Sequence, residues 1–266
     1  MNISENLTGR LVLYVEDDLT KQYLETLFQL ESGWLNIVDV GGNRAVRAMV
    51  VADREQGNKQ SFGWQDKDFG EDNTAKWGQA DTYVFRGTYH EIENYMLDWE
   101  AMKGGEKSSD YFPFQQVAHD FAEDMVFVVA CWSELRALQR FIGEGFPKQA
   151  EIPELKSLDD IVCFIREQHP WIPRLNREFA VRTSEESIRR NVEEKVAQFR
   201  DAVAGDSWRT VMPGKEIFRH LLHKAFHGEV DKPSFAKSIA DWQRGHQKIP
   251  AELQRLIEIL KDQRIP

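Results

Sequence analysis

The sequence predicts an α/β protein in which a mostly parallel sheet flanked by helices is followed by a mainly helical region. Up to about residue 111, short apolar runs alternate with segments of helical periodicity, the pattern of a parallel sheet with right-handed crossovers. From residue 112 onward, the apolar periodicity is helical almost throughout. We therefore predict an α/β domain at residues 1–111 and a helical region at residues 112–266.

The α/β domain contains four predicted strands joined by helices. Leu11–Val15 is a continuous apolar run, short enough for a buried parallel strand. The other predicted strands are residues 34–40, 61–64 and 82–85. Apolar spacing indicates a first helix from Leu19 to Leu30, capped by Asp18 or Thr20. The turn Gly41-Gly42-Asn43 leads into a second helix.

The helical region is punctuated by prolines, as expected at helix starts and in linkers. Its predicted helices lie within residues 114–142, 158–168, 184–203, 215–226, 234–242 and 251–262. This region offers surface for contacts with a substrate, a partner or a second copy of the chain.

Composition narrows the class of protein. With 266 residues, 41% of them hydrophobic, the chain can bury a real core. No apolar run reaches the roughly 18 residues of a membrane span and no signal peptide is visible, so we expect a soluble, cytoplasmic protein with no membrane contact. The net charge of −10 argues against general coating of nucleic acid but leaves a local groove open. Cys131 and Cys163 lie in apolar helical contexts, and we expect both to be buried free thiols.

Acidic residues follow three of the predicted strands. Glu16 follows the first strand, Asp66 and Asp68 follow the third, and Glu91 and Glu93 follow the fourth. Because the carboxyl ends of parallel strands meet at one edge of a sheet, these side chains should converge. Carboxylate oxygens suit hard divalent cations, so the pattern indicates metal-dependent phosphoryl-transfer chemistry.

These residues and their neighbours stand in the order and spacing of a Toprim domain. The resemblance is carried by Val15-Glu16, Gly41-Gly42-Asn43, Asp66-Lys67-Asp68 and His90-Glu91-Ile92-Glu93-Asn94-Tyr95. More narrowly, the chain resembles the Toprim-like family related to OLD nucleases, in which a His-Glu-x-Glu-Asn-Tyr box follows the fourth strand. Gly214-Lys215 at a helix start and the segment Ile249-Pro250-Ala251-Glu252-Leu253 extend the resemblance over nearly the whole chain.

One residue departs from the Toprim pattern. Toprim domains usually have glycine directly after the first-strand glutamate, whereas this chain has Asp17. Glycine permits a close backbone approach or a positive φ, which aspartate tolerates better than most residues. Either the site is shaped differently at the first strand, or Asp17 and Asp18 join the metal ligands.

The chemistry and the resemblance together imply two Mg²⁺ or Mn²⁺ ions that act on a phosphodiester. We assign Glu16, Asp66 and Asp68 as metal ligands, with Glu93 as the fourth. Asp68 could alternatively lie behind the ligands, because its direction depends on where the strand ends and a turn begins.

Three further side chains are candidates for contact with the site. His90 could orient a carboxylate, contact the scissile phosphate or shuttle a proton, or it could hold its loop through a buried hydrogen bond. Lys215 at a helix N-terminus could bind a phosphate, or it could be a solvated lysine in the first turn of the helix. Lys67 could also reach a phosphate, although a lysine at the end of a strand is more commonly exposed to solvent.

The family resemblance also implies a biological setting. Effectors of this kind serve bacterial anti-phage systems of the PARIS type, where a partner ABC-type ATPase holds the effector until it is released to cleave RNA, tRNA in particular. Such effectors work as homodimers. Two alternatives stay open: an OLD-like DNA nickase that uses the same metals, and a non-catalytic partner-binding module on a decayed Toprim core. Asp17 is the only sequence feature that supports the second alternative.

Two other clusters have both a functional and a plain interpretation. His220, His223 and His227 share one helix face and could bind zinc, but without a fourth ligand a surface or interface face is favoured. A basic strip could grip a phosphate backbone or form a salt-bridged, solvated helix. Its members are Arg174, Arg177, Arg182, Arg189 and Arg190, near Trp171 and Phe179. Because the phosphate-binding loop and its lysine are missing, ATP binding is disfavoured.

Overall fold

The computed structural model describes residues 10–105, 111–142, 155–167, 181, 184–205, 207–227 and 229–264. The chain divides into two compact units. Residues up to Gln115 and those from Gly214 onward form the sheet unit, and residues 116–213 form the helical unit. The sequence-based division at residue 111 places the last three helices in the helical region, whereas the structure groups them with the sheet unit. Helical periodicity identifies such segments as helices, but it does not say which core they join.

The sheet is α/β in character and entirely parallel, as predicted. Its strands are β1 (Leu11–Val15), β2 (Leu35–Asp39), β3 (Ser61–Trp64) and β4 (Val84–Phe85), in the order β2-β1-β3-β4. All five residues of β1 are buried, consistent with its central position and its continuous apolar run. Leu13 pairs with Ile37 of β2 and Phe62 of β3, so the carboxyl ends of neighbouring strands lie at one edge.

The helices follow the strands in the expected alternation. In the sheet unit they are α1 (Asp18–Leu27), α2 (Asn43–Glu55), α3 (Glu93–Met96) and α4 (Trp99–Gly104). Further along the chain come α5 (Phe114–Asp124), α6 (Val126–Ile142), α7 (Leu158–Glu167) and α8 (Glu185–Ala204). The last three are α9 (Gly214–Phe226), α10 (Lys232–Gly245) and α11 (Ala251–Asp262). Short 3₁₀ turns lie at Gln29–Glu31, Thr74–Lys76 and Trp208–Thr210.

Three sequence-based details need correction. The predicted first helix ends at Leu27 and continues as a 3₁₀ turn, and its N-cap is Asp17 rather than Asp18 or Thr20. The long apolar stripe predicted at residues 114–142 forms two helices rather than one continuous element, because α5 gives way to α6 at Met125. The strands predicted at residues 34–40 and 82–85 shorten to β2 and β4, although Trp34, Val40 and Tyr83 still make backbone hydrogen bonds to β1 or β3.

The helical unit has its own core, in which α8 packs against α6 and α7. Glu134 is almost completely buried there and accepts hydrogen bonds from Lys195 Nζ at 2.7 Å and Asn191 Nδ2 at 3.1 Å. Both cysteines are free, but only Cys131 is buried. The expectation of a buried Cys163 is wrong, because that residue lies on the outward face of α7.

Across the described ranges, no helix combines the length and the apolar character that a bilayer crossing requires.

Candidate metal centre

The candidate site begins where β1 and β3 end side by side. Glu16 follows β1 directly, and Asp66 lies two residues beyond β3. The backbone N–H of Asp66 donates a hydrogen bond to Oε1 of Glu16 at 2.9 Å. This contact brings the first predicted ligand to the loop that carries the second.

The loop after β3 is joined to the box after β4 by two backbone contacts. The N–H of Ile92 donates to Oδ1 of Asp66 at 3.0 Å, and the N–H of Asp68 donates to the carbonyl oxygen of His90 at 2.9 Å. Asp68 has a left-handed backbone, with φ of +50°. The strand has therefore ended and the chain has turned, so the alternation of a strand does not set the direction of Asp68.

Among the described residues, Asp68, His90 and Glu91 form one of two groups that could hold a metal ion. The other, His119, Asp120 and Glu123, is mostly exposed on α5. One ligand atom from each residue lies within 4.8 Å of the other two. His90 is completely buried, Glu91 is 8% exposed, and Nδ1 of His90 lies 3.8 Å from Oε1 of Glu91. Phe69 packs edge-on against the His90 ring, with 4.8 Å between centroids. This burial favours a His90 that orients carboxylates over one that touches the scissile phosphate.

The start of α9 completes the edge from a distant part of the sequence. The backbone N–H of Lys215 donates to Oε2 of Glu91 at 2.8 Å. A Cβ on Gly214 would lie 2.4 Å from Oδ1 of Asn94 and 2.6 Å from its backbone nitrogen, so glycine is needed for this approach. Oδ1 of Asn94 also accepts from the N–H of Glu91 at 3.0 Å. The box and the Gly-Lys pair therefore share one hydrogen-bonded unit.

Burial and mutual repulsion disfavour ionisation of these carboxyl groups. Burial is the main cause that raises the pKa of Glu16 to about 7, with a further contribution from Asp68. Burial likewise raises the pKa of Glu91 to about 8, helped by the charge of Glu93. The pKa of Asp66 is raised well above its ordinary value by burial and then by Glu16 and Glu93.

Glu93 and two lysines lie in the same electrostatic environment. Burial raises the pKa of Glu93, and the charges of Lys215 and Lys232 oppose that rise. Burial alone would lower the pKa of Lys215, but Glu93, Asp17 and other nearby carboxylates hold it above its ordinary value. For Lys232, at the start of α10, burial prevails and the pKa is lowered. The site thus contains two cationic side chains among its carboxylates.

Asp17 has a structural role that explains the departure from glycine. Its backbone is extended, with φ of −147° and ψ of 170°, a conformation open to any residue. Its side chain accepts a hydrogen bond from the N–H of Thr20 at 2.8 Å and caps α1. Asp18 is exposed and bonds to Gln22 one turn along the same helix. Aspartate in place of glycine therefore introduces no backbone strain.

All six residues assigned to the site from sequence lie at this edge: Glu16, Asp66, Asp68, His90, Glu93 and Lys215. Their metal-binding and catalytic roles stay predictions. The sequence-based ligand set omitted Glu91, although it lies in the box directly after His90. The sequence-based site also omitted Lys232, which is remote in sequence from the other site residues and belongs to no recognised motif.

Of the remaining sequence candidates, Lys67 lies between Asp66 and Asp68 on the loop after β3. The others that the structure describes lie on α8 or on and just after α9. Burial lowers the pKa of the half-buried Lys67. His223 and His227 are exposed. Arg189 pairs with Asp159 at 2.7 Å, which supports the salt-bridged interpretation of its helix. Arg174, Arg177, Arg182, Trp171 and Phe179 lie outside the described residues.

Comparisons with protein-family models, with curated proteins and with solved structures found no match to this chain. The function of the site must therefore be inferred from its own residues.

Proposed function

We propose that this chain is a metal-dependent phosphodiesterase, specifically an endonuclease, that uses two Mg²⁺ or Mn²⁺ ions. One observation carries the proposal: carboxylates from three segments of the chain converge in a largely buried cluster at the carboxyl edge of a parallel sheet. The members are Glu16, Asp66, Asp68, Glu91 and Glu93. Such a cluster is costly unless protons or cations compensate its charge.

The charge and the donor atoms fit divalent cations. Five ionised carboxylates against Lys215 and Lys232 would leave a net charge of −3, and the nearby Asp17 would make it −4. Two divalent cations would balance that charge. Carboxylate oxygens are the ligands that Mg²⁺ and Mn²⁺ prefer, and an imidazole beside them is compatible with Mn²⁺.

Cations bound there would neutralise the negative charge of a phosphodiester and lower the pKa of a bound water molecule. The protein's own side chains and backbone would orient the phosphate and the carboxylates. The ammonium group of Lys215 lies among the carboxylates and can contact a phosphate oxygen. Its backbone N–H holds Glu91 in place through a hydrogen bond, and Nδ1 of His90 lies 3.8 Å from Oε1 of Glu91. Burial of His90 and Glu91 keeps bulk water from that side of the cluster.

The sequence resemblance supports the biological part of the proposal. It favours RNA, tRNA in particular, as the substrate, a partner ABC-type ATPase as the regulator, and a homodimer as the active form, in an anti-phage effector of the PARIS type. The alternative of a decayed Toprim core rested on Asp17. That support is lost, because Asp17 caps α1 in an unstrained conformation.

The test is cleavage of total tRNA, single-stranded RNA and supercoiled DNA with Mg²⁺ or Mn²⁺, comparing wild type with Glu16→Gln. Asp39→Asn is the matched control, because Asp39 is an exposed carboxylate at the end of the neighbouring strand β2. We expect metal-dependent cleavage in wild type and control, and its loss in Glu16→Gln. Preferential cutting of tRNA supports the effector, whereas nicking of DNA alone supports an OLD-like enzyme.

If wild type alone is inactive, the assay should be repeated with the proposed partner ABC-type ATPase and the signal that releases the effector from it. Continued inactivity of a folded, metal-loaded protein on all three substrates would overturn the nuclease. Cleavage that survives Glu16→Gln would show that this cluster is not responsible.

A further inference from the structure

A basic groove runs along the outer face of α2 beside the carboxylate cluster. It has a volume of about 700 Å³. Its wall includes Asn43, Arg44, Arg47, Val51, Gln65 and Arg86, and we call it the α2 groove. Three arginines in one groove stand out in a chain with a net charge of −10.

The helix geometry explains why the groove exists. Arg44, Arg47 and Val51 are spaced by three and four residues, so they share one face of α2. Val46 and Val50 lie on another face, where they are completely buried with residues of the sheet. Small neighbours such as Ala48 and Ala52 line the groove, which leaves room beside the arginines.

The groove is joined to the carboxylate cluster through shared residues. Gln65 immediately precedes Asp66 and donates through Nε2 to the carbonyl oxygen of Asn43 at 2.6 Å. Nδ2 of Asn43 donates to the carbonyl oxygen of Asp66 at 3.3 Å. A ligand in the groove would therefore lie next to the loop that holds Asp66.

The arginines are available to bind an anion. Within the part of the chain that the structure describes, Arg44 and Arg47 have no carboxylate partner, and both are exposed. Nε of Arg86 is buried and has no hydrogen-bond partner among the described residues. Glu55 is the only acidic residue among the described residues of the lining, and it lies at the far end of α2, about 12 Å along the axis from Arg47.

We propose that the α2 groove binds the phosphate backbone of the nucleic-acid strand on one side of the cleavage site. The inference rests on the proposed nuclease function and names the part of the protein that holds its substrate. Guanidinium groups match phosphate oxygens in paired hydrogen bonds. The described lining contains no aromatic side chain on which a base could stack. The groove therefore contacts the backbone and reads no sequence.

The test measures binding in EDTA, so that cleavage does not interfere. The probe is a fluorescein-labelled single strand of about 12 nucleotides, as RNA and as DNA, within the usual site size of single-strand binders. Fluorescence anisotropy compares wild type with the double variant Arg44→Gln/Arg47→Gln. The matched control is Arg10→Gln/Lys59→Gln, which removes two exposed charges near the amino ends of β1 and β3.

We expect the groove variant to bind at least tenfold more weakly and the control to change less than about twofold. Loss of two phosphate contacts should reduce the slope of log K against log salt by about 1.4, since each single-strand contact contributes about 0.7. Three outcomes would each overturn the proposed role of the groove. They are equal effects in the two double variants, unchanged binding by the groove variant, and absence of binding by wild type. Circular dichroism should show equal helix content in all three proteins.

The two proposals fail in different ways. Metal-dependent cleavage lost in Glu16→Gln, together with binding that ignores Arg44 and Arg47, would reject the groove and leave the nuclease. Binding that depends on both arginines, in a protein that cleaves no substrate, would reject the nuclease and leave the groove.

Discussion

Replacing Glu91 by glutamine should stabilise the metal-free protein and weaken its response to divalent cations. Glu91 is 8% exposed, and its carboxylate accepts the N–H of Lys215. Glutamine has nearly the same shape and keeps one oxygen acceptor for that bond. The substitution therefore removes the buried charge beside Glu93 while it retains the contact with α9.

The size of the effect follows from the pKa. In the folded protein the pKa of Glu91 is raised, chiefly by burial, from 4.5 to about 8. The folded state therefore holds this proton more tightly than the unfolded chain does. The group leaves stability unchanged below about pH 4.5 and lowers it progressively as the pH rises towards 8. At pH 8 its ionisation opposes folding by on the order of 4 kcal/mol.

Urea unfolding at pH 5 and pH 8, in EDTA and in Mn²⁺, checks this reasoning. We expect Glu91→Gln to raise the free energy of unfolding by about 2–4 kcal/mol at pH 8 in EDTA, and to change it little at pH 5. In Mn²⁺ at about 100 times its dissociation constant, wild type should gain about 2.7 kcal/mol and the variant less. The exposed Glu25→Gln is the control. A variant that is less stable than wild type in EDTA and equally stabilised by Mn²⁺ would mean that Glu91 is only a structural acceptor.

Two other substitutions test how the backbone supports the site. Gly214→Ala should lower the free energy of unfolding by about 2–3 kcal/mol in urea titrations, because its Cβ would meet Asn94 at 2.4 Å. Gly245→Ala, whose Cβ would meet no atom within 4 Å, should be neutral or slightly stabilising, and equal losses would refute the clash. Asp17→Ala should cost about 1 kcal/mol through loss of the cap on the Thr20 N–H, with metal-dependent cleavage retained. Loss of cleavage in a folded Asp17→Ala protein would instead make Asp17 part of the centre.

The sheet and the approximate position of the site could be predicted from sequence. The continuous apolar run Leu11–Val15 and the short segment Ser61–Trp64, with its two aromatic residues, indicate buried strands, and parallel strands place their carboxyl ends together. The N-cap of α1 is Asp17 rather than the predicted Asp18 or Thr20, because all three are good capping residues within four positions. Sequence propensity does not decide among such neighbours.

The completed site could not be predicted, because it depends on contacts between remote segments. Helical periodicity predicts α9 but does not show that the first turn of α9 contacts the His-Glu-x-Glu-Asn-Tyr box that follows β4. The approach is possible only because Gly214 has no side chain against Asn94. Glu91 and Glu93 are two residues apart, and the hydrogen bonds that Glu91 makes with Asn94 and Lys215 fix its position.

Backbone N–H groups hold the key carboxylates of the centre in place. Asp66 donates to Glu16, Ile92 donates to Asp66, and Lys215 donates to Glu91. A backbone dipole favours the ionised carboxylate but adds no full positive charge. An ion pair with arginine would have oriented these groups equally well and cancelled their charge. Holding mutually repelling carboxylates by peptide dipoles therefore leaves their negative charge available, which is what a site for divalent cations requires.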